Sequence, residues 1–163
     1  MYYTFVSSPI GQLLLAGSDT ALEVVGFASG SKARSPETDW ERNDAPFRDV
    51  AEQLGEYFDG KRRDFDLAVD PGANGFQADV LDALRRIPYG ETRSYGEVAR
   101  NIGRPKAVRA VGAANGRNPL PIVIPCHRVI GHDGDLTGFG GGLAAKRYLL
   151  DLERRYSGMF EPA

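Results

Sequence analysis

The chain has 163 residues, with 20 Lys+Arg against 22 Asp+Glu, 42% hydrophobic residues, 20 Gly, 10 Pro, two His and a single Cys. That length and apolar content allow one domain or two small ones to fold without staples, which excludes disorder as the main state and, with one cysteine, an internal disulfide. No stretch approaches the roughly 18 apolar residues of a membrane span, Met1-Tyr2-Tyr3-Thr4-Phe5 lacks the basic and apolar regions of a secretory signal, and residues 1–125 contain no His or Cys to build a structural zinc site. The expectation is a soluble intracellular protein.

Tyr2 to Val6, Gln12 to Ala16 and Leu22 to Phe27 are short β-rich runs, separated by the turns Ser8-Pro9-Ile10-Gly11 and Gly17-Ser18-Asp19. They predict an antiparallel meander. After a polar loop, Phe47, Val50, Ala51, Leu54, Tyr57 and Phe58 recur at helical spacing, with Asp44 placed to start the helix and Gly60 to stop it. Phe65 to Val69 reads as a returning strand. Asp70-Pro71-Gly72-Ala73-Asn74-Gly75 then reads as a linker.

Past the linker Phe76, Val80, Leu84 and Ile87 form a helical stripe that ends at Pro88. Ser94-Tyr95-Gly96-Glu97 is a capping box and starts a short helix carrying Val98, Ala99 and Ile102 inward. Gly103 closes it, and Pro105 suits the first turn of a second helix reaching about Gly116. Two short helices joined by a tight turn make a helix-turn-helix. Leu120 to Ile124 reads as a buried strand leading into Pro125-Cys126-His127-Arg128-Val129-Ile130. A turn at Gly131-His132-Asp133-Gly134 and the glycines 138, 140, 141 and 142 around Phe139 follow, a density that lets backbone approach a ligand closely. The last helix, from about Leu143, is expected to bury Ala145, Tyr148, Leu149, Leu152 and Tyr156.

Charge divides the chain at the linker. Residues 1–71 hold 7 Lys/Arg against 13 Asp/Glu, a balance of −6, and residues 72–163 hold 13 against 9, a balance of +4. Within Arg93–Arg117 six basic residues stand against Glu97 alone, on the helix-turn-helix itself. That concentration favours a polyanion such as nucleic acid over a merely solvated face.

Cys126 follows a proline and adjoins His127 and Arg128, whose imidazole or guanidinium would shift its thiol toward the nucleophilic thiolate. A buried packing role is the competing reading. Glu153 is placed to orient His127, as the third member of a triad does. His132 reads as an exposed turn residue, and Arg128 as a structural clamp on a carbonyl or carboxylate. A zinc site built on Cys126, His127 and His132 is disfavoured because adjacent residues rarely ligate one ion.

Pro125-Cys126-His127-Arg128-Val129, preceded by Arg109-Ala110-Val111-Gly112 and Asn118-Pro119-Leu120-Pro121-Ile122 and followed by Gly140-Gly141-Gly142-Leu143, resembles the O6-alkylguanine-DNA alkyltransferase family, also called methylated-DNA–protein-cysteine methyltransferase. The likeness runs from Ser8-Pro9-Ile10-Gly11 through Pro88-Tyr89-Gly90 to Glu153. It implies an α+β chain: a ribonuclease H-like α/β domain over 1–70, a linker over 71–75 and a winged helix-turn-helix alkyltransferase domain over 76–163. It implies single-turnover repair of O6-alkylguanine, with O4-alkylthymine as a further substrate class, in double-stranded DNA. The damaged base is flipped out from the minor groove and its alkyl group passes to Cys126.

On the same resemblance His127 is the general base through a water and Glu153 its orienter. Tyr95 contacts the guanine and the 3′ phosphate, and Arg109 is the finger that fills the vacated stack. Ala110, Gly112 and Arg93 lie along the DNA, and Asn118 braces the turn before the active site. The base pocket is formed by Val129, Phe139, Gly140, Gly141 and Pro121. No cofactor, metal or membrane is implied. The location is cytoplasmic, or nucleoid-associated on DNA, and the form a monomer with cooperative assembly on DNA left open.

Phe139 stands where relatives often have Tyr, which keeps stacking and loses a hydroxyl. Leu81 replaces a common aromatic, with a consequence for core packing, and Asn115-Gly116-Arg117 is an unusual order that bears on phosphate contacts. The alternatives are a non-catalytic alkyltransferase-like damage-binding protein, which would lack the acceptor Cys, a thiol hydrolase that would turn over repeatedly, and a winged-helix regulator.

Overall fold

The computed structural model describes residues 1–30 and 32–160. The last three residues of the expected second domain, 161–163, lie outside the described residues.

The meander forms as the alternation dictates. Strands β1 (Tyr2–Val6), β2 (Leu13–Gly17) and β3 (Leu22–Phe27) pair antiparallel in sequence, with a bulge at Ala16/Gly17. All five residues of β2 are buried, as a short unbroken apolar run in a central strand should be. A two-residue strand, β4 (Glu41–Arg42), adds parallel to β1 and gives the order β3-β2-β1-β4. Its polar sequence carries no strand signal, and the pairing is with backbone alone.

Helix α1 (Arg48–Phe58) buries Val50, Leu54 and Tyr57. Asp44 does not cap it: a one-turn 3-10 segment, Ala45–Phe47, intervenes. The Asp44 carboxylate instead accepts from the Thr4 hydroxyl at 2.5 Å, tying the helix approach to β1. The expected strand at 65–69 reduces to a single bridge, Leu22 to Val69, held by Leu22 N to Ala68 O and Asp70 N to Leu22 O, while further along β3 the Val25 N is taken by Pro119 O.

In the second half, α2 (Gly75–Arg85) buries Val80, Leu81, Ala83 and Leu84. Leu81 is thus a core residue, in agreement with a packing role at that position. The capping box forms: Ser94 Oγ accepts from Glu97 N and Glu97 Oε1 accepts from Ser94 N, both at 3.1 Å, starting α3 (Tyr95–Asn101). Helix α4 (Val108–Gly116) begins later than expected. Pro105 sits in a preceding turn closed by Ala107 N to Arg104 O.

The run 120–124 is not a strand. Pro119, Pro121 and Pro125 supply no backbone donors, and the chain folds into a turn in which Ile124 N bonds Leu120 O at 2.8 Å. Asn118 clasps this turn from both sides, Nδ2 donating to Ile124 O at 2.8 Å and Oδ1 accepting from Leu120 N at 3.0 Å. Ile122 takes φ +74°, a conformation hostile to a β-branched residue. A 3-10 turn, Cys126–Arg128, follows and leads into β6 (Val129–Ile130), which pairs parallel with β5 (Arg93–Ser94). This small ribbon sets the residues before α3 beside the segment that leaves the Cys126–Arg128 turn, with Arg93 opposite Val129 and Ser94 opposite Ile130.

Helix α5 (Leu143–Tyr156) buries Ala145, Leu149 and Leu152 as expected, but also Lys146 and Glu153, while Tyr148 lies on the exposed side. Burial of Lys146 and Glu153 rotates the inward face of α5 so that Tyr148 sits at its edge, its ring 6.5 Å from Phe58, while Tyr156 is half-buried. One continuous core joins both halves, and Val25 N in β3 donates to Pro119 O at 2.9 Å, stitching the sheet to the turn before Cys126.

Ser94→Ala removes the acceptor for Glu97 N. The expected cost is about 1 kcal/mol, read as a fall in melting temperature of roughly 2–4 °C for a chain of this size.

Candidate active site

Cys126, His127 and Arg128 are all buried although two of them are polar, so their partners decide what they can do. Glu153, 1% exposed, receives them. His127 Nε2 lies 2.6 Å from Glu153 Oε2, and Arg128 donates Nε to Oε1 at 2.7 Å and Nη2 to Oε2 at 3.0 Å. Arg128 Nη1 also donates to Ile87 O at 2.6 Å, so this one guanidinium clamps a carbonyl and a carboxylate together. Gly90 N reaches Glu153 Oε1 at 3.2 Å from a turn where its φ of +80° and the nearby Ser157 leave no room for a side chain. Tyr57 Oη, from α1, donates to Glu153 Oε2 at 2.6 Å.

The electrostatics follow from burial and these pairs. Burial raises the Glu153 carboxyl, but His127 and Arg128 outweigh it and hold the group far below its usual 4.5. Burial pushes His127 below 6.5 despite the opposing pull of Glu153. The Cys126 thiol corrects a sequence expectation. Burial raises it, and the groups that oppose this are Asn118, Lys146 and Lys32. His127, expected to lower it, gives its Nε2 to Glu153, and Arg128 gives its guanidinium to Glu153 and Ile87 O. Among the described residues His127 Nδ1 meets no hydrogen-bond partner, so it is the ring atom left to accept a proton.

Cys126 lines a cavity of about 390 Å³ built from both halves of the chain. Asn118, Pro121, Phe139 and Gly140 line it from one side, and Phe27, Lys32 and Arg34 from the other. Phe27 and Phe139 have ring centroids 5.3 Å apart. A Cβ at Gly141 would come within 2.9 Å of the Phe27 ring, which is why the loop passes there as glycine. Lys32 Nζ donates to Gly116 O at the end of α4.

Val129 is fully buried and its carbonyl accepts from Lys146 Nζ at 2.7 Å, leaving one lone pair. Tyr95 is half-buried, hydrogen-bonded to Thr137 and packed at 3.8 Å from where a Gly112 Cβ would stand. Arg109 and Ala110 are exposed on the first turn of α4. Arg93 is half-buried and pairs with Glu91 at 3.1 Å. Arg117 donates to Gln77 Oε1 on α2. His132 is exposed.

Three residues at this site escape sequence reasoning. Tyr57 resembles any other member of its apolar stripe, and Thr137 carries no motif. Lys146 did leave a signal: it lies on the buried face of α5 with Ala145, Leu149 and Leu152, where a lysine needs a reason. It finds one in Val129 O and Thr137 O, and burial brings its ammonium down to about 8.

The depressed His127 has a consequence for stability. The unfolded chain binds a proton on His127 near pH 6.5 that the folded chain resists, so stability is full above 6.5 and declines below it. Urea unfolding between pH 7 and 5 should show a slope of up to about 1.4 kcal/mol per pH unit from this one group, and His127→Asn should flatten it. The Glu153 contribution has the same sign but fades only as pH falls below 4.5.

The family model of the 6-O-methylguanine DNA methyltransferase ribonuclease-like domain matches residues 1–71, and that of the DNA binding domain of the same family matches residues 75–155. A methylated-DNA–protein-cysteine methyltransferase of Methanosarcina acetivorans is 51% identical over 94% of this chain and 98% of its own length. One from Mycolicibacterium paratuberculosis is 53% identical over 95% and 93%. The crystal structure of Mycobacterium tuberculosis OGT in complex with DNA superposes with a TM-score of 0.90 at 46% identity, covering 96% of this chain and 94% of that one. With both halves matched and a buried Cys-His-Glu constellation in the second, the chain belongs to the 6-O-methylguanine DNA methyltransferase family.

Proposed function

We propose that this protein repairs O6-alkylguanine in duplex DNA by moving the alkyl group onto Cys126, one lesion per molecule. The observation that carries the reading is the placement of the Cys126 thiol on the wall of the two-sided cavity, adjacent to the buried His127–Glu153 pair. A binder without an acceptor would have no use for a thiol there.

Double-stranded DNA docks on the helix-turn-helix, where Arg100, Arg104, Lys106 and Arg109 are exposed. Arg109, at the start of α4, enters the stack as the damaged guanine leaves it. Extrusion is cheap because O6-alkylation removes the N1 proton and weakens pairing with cytosine. Ala110 and Gly112 allow close approach along α4, Arg93 flanks the site, and Tyr95 guides the base and the 3′ phosphate. The base lodges against Val129, Gly140 and Gly141, with Pro121 and Phe139 bracketing the alkyl group. Asn118 holds the turn that presents Cys126.

In the resting site burial keeps the thiol protonated, so a base is required. His127 Nδ1 takes the thiol proton through a water, and Glu153 stabilises the imidazolium that results. The thiolate attacks the alkyl carbon, a C–S bond forms as the C–O bond breaks, and the electron pair returns to the purine, which takes up a proton as it reverts to guanine. The product thioether cannot be hydrolysed as a thioester would be, so the acceptor is consumed. No step calls for a cofactor. The boundaries 1–70, 71–75 and 76–163 divide the support from the DNA-binding half, and the workplace is the cytoplasm or nucleoid, where the DNA is.

Intact mass after incubation with an O6-methylguanine duplex should rise by one methyl, located on the Cys126 peptide and reaching a stoichiometric plateau. Cys126→Ser should abolish the increment while retaining DNA binding, and transfer persisting in that variant would overturn the assignment. Arg109→Ala should slow repair of the duplex by about 10- to 100-fold, the scale of the few kcal/mol spent on unstacking. Its reaction with free O6-benzylguanine should change far less, and equal losses would remove the finger role.

A further inference from the structure

Glu153 accepts more donors than the orientation of one imidazole requires. Oε1 takes Arg128 Nε and Gly90 N, and Oε2 takes Arg128 Nη2, His127 Nε2 and Tyr57 Oη. Four of these come from residues 87–128 or their turns. The fifth comes from α1, 96 positions away in the chain. Tyr57 is fully buried, and its ring is fixed against Phe58, Phe65 and Tyr89, with centroid separations of 5.3, 5.5 and 6.2 Å. Its hydroxyl is therefore held on the same oxygen that pairs with His127.

We propose that Tyr57 is a positioning residue through which the N-terminal half sets the base strength of His127. A carboxylate oxygen shared between two donors pulls less on each. The Tyr57 hydroxyl draws charge from Oε2 and weakens the stabilisation that Glu153 gives to a protonated imidazole. His127 consequently stays neutral, and able to accept the Cys126 proton, to a lower pH than it would with Arg128 Nη2 as the sole other donor on Oε2. The other charged or titratable groups acting on this pair are Arg128, Lys146 and Tyr89. Arg128 and Lys146 keep their hydrogen bonds when Tyr57 changes, and Tyr57→Phe preserves the ring that packs against Tyr89. The inference rests on the reading of His127 as the base.

The test uses the full chain and an O6-methylguanine duplex, with single-turnover transfer followed from pH 5 to 9 and the His127 ring followed by nitrogen-15 NMR. Tyr57→Phe keeps the ring and deletes the donor. It should move the acid limb of the rate profile to higher pH by roughly half a unit, the scale of one lost hydrogen bond to a charged group spread over several donors. The His127 titration should move in the same direction. Replacement of Tyr57 by 3-fluorotyrosine, a stronger donor of nearly the same size, should move both to lower pH. It also carries the test if Tyr57→Phe does not fold. Opposite shifts cannot arise from loosened packing, which would lower the melting temperature in both variants and leave the limb in place. An acid limb or a His127 titration that stays put in both variants overturns the proposal. Failure of the unsubstituted protein to alkylate Cys126 would instead refute the repair reading itself.

Discussion

A single buried carboxylate organises this molecule. Glu153 is charged, 1% exposed, and satisfied by five donors drawn from α1, the Gly90 turn and the Cys126–Arg128 turn. Such a group is tolerable only when every lone pair is used, and removal of one buried ionic partner commonly costs about 3–5 kcal/mol. The donors therefore cannot drift independently. Where Glu153 sits, the helix from the first half, the turn after α2 and the nucleophile's own turn must all meet. Stability and catalytic geometry are fixed by the same set of bonds.

The arrangement also explains why the nucleophile rests in its unreactive form. Had His127 and Arg128 faced the sulfur, as their adjacency in sequence suggests, the thiol would ionise readily and react with any soft electrophile reaching the cavity. Arg128 and the His127 Nε2 face Glu153 instead, burial raises the thiol, and the weaker influences that oppose it come chiefly from Asn118 and Lys146. A protein that can react only once gains from this restraint. Deprotonation is left to a base held nearby, and the sulfur sits on a cavity wall shared with Pro121 and Phe139.

Most of the elements were legible because their signals are local. The meander follows from alternation, α3 from the Ser94–Glu97 box, and the candidate nucleophile from Pro125-Cys126-His127-Arg128. The segment 120–124 was misread because β-branched composition outweighed three prolines, and what decides its shape is the Asn118 side chain reaching Ile124 O, a bond no periodicity encodes. The same holds for β4, which pairs through its backbone, and for Asp44, whose partner Thr4 lies 40 residues away. At the site, the Cys-His-Glu roles came from resemblance, whereas Tyr57 and Thr137 became visible only once folding brought distant segments together. Lys146 is intermediate: its place on the apolar face of α5 marks it as anomalous, but not what it binds.

The unequal charge of the two halves has a physical use beyond solubility. With a balance of −6 in residues 1–71 and +4 in residues 72–163, the molecule has a strong preference for how it meets a polyanion. The basic side chains Arg100 on α3, Arg104 and Lys106 in the connecting turn and Arg109 on α4 are exposed, so the field favours an approach with the helix-turn-helix toward a polyanion and the first half away from it. The acidic half can then serve the chemistry only from behind. It does so through Phe27, Lys32 and Arg34 on the cavity wall and through Tyr57 on Glu153. The two basic side chains among these lie where the acidic half borders the DNA-binding half at the cavity. Charge thus sorts the surfaces by what they touch, and hydrogen bonds across the core return the repelled half to the reaction.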